Sequence, residues 1–173
     1  MSELNLAAMS IPEDRLVEAL TERIEAKRQV LAERDRGLGA DRVRIGSYME
    51  NLALPELFGF DMNRLFADAR FALELELRHR IFWADNTEDD WLPGLEVQAT
   101  VGMYFDITLF GQEVRHSPGG VPEFMPHPIA ERPGLELMPP FDFRTTGSMP
   151  GLIRQYQEMS RLARHGRRRR SAN

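Results

Sequence analysis

The chain has 173 residues and a mass of 19.9 kDa, with 42% apolar, 28% charged and 9% aromatic side chains and no cysteine. That length allows about one domain at roughly 100–200 residues each, and the composition excludes wholesale disorder, collagen-like fibres, disulfide scaffolds, thiol nucleophiles and cysteine-containing zinc sites. With 22 basic and 27 acidic residues overall and five arginines inside 164–173, the first 163 residues carry 17 basic against 27 acidic side chains, a surface that repels phosphate backbones and argues against a nucleic-acid partner.

No run of 18 apolar residues occurs, and Met1-Ser2-Glu3-Leu4-Asn5 is neither basic nor followed by a long apolar segment. The expectation is a cytoplasmic protein without a membrane partner. Ser10-Ile11-Pro12-Glu13 has the hydroxyl cap, early proline and returning glutamate of a helix start. Leu16, Val17, Leu20, Ile24 and Leu31 then recur at helical spacing until Gly37 and Gly39. Asp41 to Gly46 follows as a short strand, and Leu52–Phe58 and Met62–Phe66 as brief helical turns around Pro55 and Gly59. Between Phe71 and Arg78 the apolar residues alternate as in a strand, yet none is β-branched. Glu74 with Arg78 and Glu76 with Arg80 stand at i,i+4, so the reading is helix, capped by Asp68 and ended by the acidic stretch Asp85 to Asp90.

Two alternating runs, Leu95/Val97/Ala99/Val101 and Phe105/Ile107/Leu109, predict paired strands, with Val114 able to continue the second. Residues 118–150 hold 8 of the 11 prolines, which predicts a long irregular excursion, a candidate lid or binding loop. Ser148-Met149-Pro150 then starts a helix with Leu152, Ile153, Tyr156, Met159 and Leu162 at helical spacing. The Arg164 and Arg167–Arg170 run is either a solvated terminus or a basic patch.

Metal ligation finds no pattern: His79, His116, His127 and His165 make neither an HxH nor an HExxH spacing, and Glu113 with His116 spans a strand end. The acids Asp85, Glu88, Asp89 and Asp90, between Trp83 and Trp91, suit either a cation site or a solvated loop anchored by the tryptophans. Nucleophile elbows, P-loops and dinucleotide fingerprints are absent from the sequence. Asp106 is different in kind, a carboxylate inside an apolar and aromatic strand pattern. If Phe105 and Ile107 face the core, it faces away from it, into solvent or into a site.

The run Phe105-Asp106-Ile107-Thr108-Leu109-Phe110-Gly111-Gln112-Glu113-Val114, followed by Gly120-Val121-Pro122 and Pro128-Ile129, resembles the uroporphyrinogen decarboxylase superfamily, which is related to the corrinoid-dependent methyltransferases. Asp41-Arg42-Val43-Arg44-Ile45 upstream is similar to the entry into that family's first barrel strand, and Phe141-Asp142-Phe143 and Met149-Pro150 are similar to its decarboxylase-like members. The resemblance runs over about residues 12–163.

It implies an α/β fold, an incomplete (β/α)8 TIM barrel: residues 1–163 form the N-terminal part, with the long irregular Pro-rich loop, and 164–173 a basic, disordered tail. It implies that Asp106 is the active-site carboxylate that stabilises positive charge on a tetrapyrrole-like or methylated small molecule, with Tyr104, Phe110 and Gly111 binding the substrate. Two departures limit this. Ser47-Tyr48-Met49-Glu50 stands where the family carries its substrate-gripping arginines, and the cysteines of the methyltransferases' zinc site are missing, so neither metal nor cofactor is expected. A complete barrel takes about 250 residues, so the chain is expected to be inactive alone and to associate with itself or with a complementary barrel half. The alternative is a non-enzymatic α+β module that binds a partner through its Pro-rich loop and acidic surface.

Overall fold

The leucine and isoleucine stripe expected of the first helix is buried in the computed structural model, which describes residues 13–39, 41–47, 53–100, 104–118, 122–126 and 142–170. Glu13–Leu38 forms α1, with Leu16, Leu20, Ile24 and Leu31 turned inward. Gly37 remains within the helix, and Gly39 ends it: at φ +90 its N–H returns to the carbonyl of Asp35 at 3.0 Å, a left-handed turn that only glycine makes without strain. Two short helices follow, α2 (Leu54–Phe58), started by Pro55, and α3 (Met62–Ala67), capped by Asp61, whose carboxylate accepts from Asn63 N.

Helix α4 (Ala69–Asn86) is the centre of the molecule. Asp68 caps it as expected, accepting from the N–H groups of Arg70 and Phe71 at 3.0 Å each. The helix packs against α1, α3 and the last helix, α6 (Met149–Arg170). That explains its strand-like alternation: Ala72, Leu73, Leu75, Leu77 and Trp83 lie on several sides of the cylinder, and all are buried because neighbours approach from several directions. The core joins these residues to Leu54, Phe58, Met62, Leu65 and Met159.

The expected strand pair does not form. Residues 95–100 are irregular, and their polar groups bond to side chains: Gln98 N–H donates to Glu76, and Thr100 N–H to Gln155. Phe105–Thr108 is a single helical turn, α5. Asp41–Gly46 is likewise no strand, because the amide of Ile45 is taken by a carboxylate rather than by a neighbouring strand. The sheet that exists is a two-stranded antiparallel ribbon, β1 (Val114–His116) and β2 (Pro122–Phe124), in register Val114↔Phe124, Arg115↔Glu123 and His116↔Pro122. It leans on α3, where Met62 N–H donates to Pro118 O at 3.2 Å and the Phe66 ring meets His116 at 4.7 Å. The architecture is therefore mixed and helix-dominated, and the described residues contain no parallel strand pair. Helix α6 continues past Leu162 to Arg170, so helical backbone extends through the arginine run. The Pro-rich excursion falls largely at 127–141, outside the described residues.

Gln155 is the polar rivet of this core. It is 4% exposed; its Nε2 donates to Leu65 O at 2.7 Å and its Oε1 accepts from Thr100 N at 2.7 Å, tying α6 to α3 and to the 95–100 segment. Gln155→Leu keeps the volume and strands those backbone groups, which is expected to cost about 2 kcal/mol, or roughly 4–8 °C in Tm for a chain of this size. A circular-dichroism melt within about 1 °C of wild type would show that the tie contributes nothing.

Candidate functional site

The residues implied as a site are contiguous and occupy one surface turn. Tyr104 precedes α5 at φ +64, a left-handed conformation costly for a residue with a Cβ, and its ring meets Phe124 edge-on at 5.0 Å. Tyr104, Phe105 and Phe110 are 41%, 41% and 38% exposed. Asp106 is exposed between them, and Gly111 closes the turn at φ +87. The turn is held from below: Thr108 is buried and its Oγ1 accepts from Ser148 N at 2.9 Å, just ahead of α6. Gly147, at φ +60, allows that approach, since a Cβ there would collide with Thr108. These residues present a carboxylate and three aromatic rings to solvent on a surface patch.

The acidic stretch behaves differently from either expectation. Asp89 and Asp90 are enclosed and taken by the chain's own cations, whereas Asp85 and Glu88 remain exposed. Asp85 receives Arg23 Nε at 2.8 and 2.9 Å. Asp89 accepts from Lys27 Nζ at 2.8 Å, Thr87 Oγ1 at 3.1 Å, Ser47 N at 2.8 Å, Ser47 Oγ at 2.5 Å and Trp83 Nε1 at 3.2 Å. Asp90 is gripped at both oxygens by Arg42, at 2.7 Å each, and also accepts from Arg34 at 2.9 Å and Ile45 N at 2.9 Å. Lys27 and Asp89 are 8% and 7% exposed in their side chains. Asp89 and Asp90 are therefore not available as a free anionic surface for a partner. Ser47 serves this clasp; Tyr48, Met49 and Glu50 lie outside the described residues.

Sequence reasoning missed Lys27, and a signal existed. The stripe Leu20, Ile24, Leu31 leaves position 27 on the same buried face, and a lysine there requires a buried partner. Arg42 offered no such signal, because it lies in an irregular segment with no helical stripe to mark it as buried.

Burial opposes ionisation of Asp89, but the bonds from Lys27, Ser47 and Trp83 outweigh it and hold its carboxyl well below the usual range. Arg42, then the Ile45 amide and Arg34, do the same for Asp90. Groups held this firmly ionised are poor proton-transfer residues near neutral pH. On α4, burial pushes the Glu76 carboxyl up, against the opposing pull of Arg80. Burial pushes His79 and His116 down, and their Nε2 atoms have no hydrogen-bond partner among the described residues. His79 packs edge-on against Trp83 at 5.8 Å, and Glu113 pairs with Arg115, not with His116. His127 lies outside the described residues, as does the His165 side chain. Among the described residues no three His, Asp or Glu side chains converge as a metal site would require, and no helix is long and apolar enough to cross a membrane.

No protein-family model matches the chain, and neither a curated protein nor a solved structure is similar to it.

A carboxyl whose pKa is lower in the folded than in the unfolded state adds stability above the unfolded value, about 3.9 for aspartate, and loses it as pH falls below that. The expected result for Asp90→Asn is thus a melting temperature below wild type by a constant amount above about pH 5, with a gap that narrows below about pH 4. Measuring the difference isolates Asp90 from the two histidines, which destabilise the fold as they charge between neutral and mildly acid pH. A gap that widens on acidification would contradict the clasp.

Proposed function

We propose that the chain is the N-terminal, helix-rich portion of a uroporphyrinogen decarboxylase-like protein acting on a tetrapyrrole-like or methylated small molecule, and that alone it is not catalytic. The observation that carries this reading is the 104–111 turn, where Asp106 stands among Tyr104, Phe105 and Phe110, all of them exposed. A carboxylate in open water does little for a developing cation, because the solvent screens it. Enclosed with apolar rings, the same charge acts through a lower dielectric and is worth several times more. The turn has the groups such a site needs and lacks the cover.

The finer reading of the fold, an N-terminal piece of a (β/α)8 barrel, belongs to the same proposal. Val43 and Ile45 are 84% and 69% exposed, and Leu95 and Phe124 are exposed as well. Such side chains gain from a covering layer, supplied by further barrel or by a second copy of the chain.

The chain by itself, assayed against a panel of porphyrinogens and methylated small molecules, is expected to release neither carbon dioxide nor a methyl group. In a longer protein carrying the same 104–111 run, Asp106→Asn is expected to lower kcat by about 100-fold with an unchanged Tm, the loss typical of removing one charge-stabilising group. Full turnover by the variant would end the assignment of Asp106, and turnover by the chain alone would end the claim that it needs cover.

A further inference from the structure

A cavity of about 200 Å³ opens where α2, α3 and α4 meet, walled by Phe58, Phe60 and Phe71. Four charged side chains line it as well, and three of them are engaged within the fold. Asp61 accepts from Asn63 N at 2.8 Å and Nδ2 at 2.9 Å as the cap of α3. Glu74 accepts from Arg78 at 2.9 and 2.6 Å, in a pair that is largely buried. The fourth, Arg64, lies with its guanidinium 4.0 Å from the centre of the Phe71 ring, and no carboxylate among the described residues pairs with it. Phe60 meets the same ring edge-on at 5.2 Å, so the arginine sits on a fixed aromatic floor.

We propose that this cavity binds a small organic monocarboxylate with a flat apolar body, its carboxylate on Arg64 and its body against Phe58, Phe60 and Phe71. The guanidinium fork matches a carboxylate at two points while its face rests on the ring, a combination that lysine cannot reproduce. Size sets the body: a cavity of roughly 150 Å³ holds benzene, so this one accepts a ring with one carboxylate. Charge sets the head. Asp61 is engaged as the cap of α3 and Arg78 is taken by Glu74, which leaves Arg64 as the one cation of the lining for a monoanion, while a second negative charge finds no further cation. A tetrapyrrole is several times too large for the cavity, so this site is independent of the function proposed for Asp106.

The probe is benzoate, titrated into the full chain and followed by amide chemical shifts. Saturable shifts centred on Gly59, Phe60 and Phe71 are expected, with a dissociation constant on the order of 1 mM for a ligand of this size. Benzylamine, with the same ring and opposite charge, and phenyl phosphate, a dianion, are each expected to bind at least about tenfold more weakly. Arg64→Gln is expected to weaken benzoate about tenfold or more, with Arg64→Lys intermediate, and because Arg64 is exposed both variants should stay folded, the lost contact with Phe71 lowering Tm by no more than about 4 °C. The proposal is overturned by the absence of shifts up to about 20 mM benzoate, by shifts centred elsewhere, by equal binding of benzylamine, or by undiminished binding to a folded Arg64→Gln.

Discussion

Two adjacent carboxylates, Asp89 and Asp90, gather three pieces of chain that hydrophobic burial alone would not align. They lie just beyond the end of α4 and draw in Lys27 and Arg34 from α1, and Arg42, Ile45 and Ser47 from the segment after it. Removing one partner from such a set costs more than the pair contributed, because the remaining charge keeps its desolvation penalty and loses its compensation. The clasp therefore ties α1 to the end of α4 and gives the 42–47 segment its path. It also explains why that segment forms no strand, since its amides are satisfied by carboxylate oxygens.

The second constraint is the burial of α4 on several sides. With α1, α3 and α6 all packed against it, the helix has little surface to offer as a polar face, and the charges along its middle pair locally. Glu74 with Arg78 and Glu76 with Arg80 do so along the helix, at 2.6 and 3.3 Å. Gln155 then closes the remaining gap between α6, α3 and the 95–100 segment with two hydrogen bonds. Irregular backbone can cross this core because side chains supply the partners that a neighbouring strand would otherwise provide.

Beside these engaged charges, Asp106 and Arg64 differ. Both are exposed and neighbour aromatic rings, and neither has an ion-pair partner among the described residues. Three of the acids that look most conspicuous in the sequence, Asp85, Asp89 and Asp90, are paired within the fold. A charge that the fold has already neutralised has little left to offer a ligand, and an unmatched one beside an apolar surface has most.

What the sequence by itself determined is local. Helix α1 with its inward stripe, the Asp68 cap, the reading of 71–78 as helix from its residue types and the start of α6 all follow from spacing and side-chain chemistry within a few residues. The strands expected at 95–100 and 105–109 do not form for a related reason: alternation records which residues avoid water, not which partner holds the backbone, and here Glu76 and Gln155 bond residues 98 and 100 while residues 105–108 close a helical turn of their own. Only the tertiary structure decided the fate of the acidic stretch and the existence of the cavity under Arg64. Both depend on groups far apart in the chain, 62 residues for Lys27 and Asp89, and no local pattern encodes which distant cation will reach a given carboxylate.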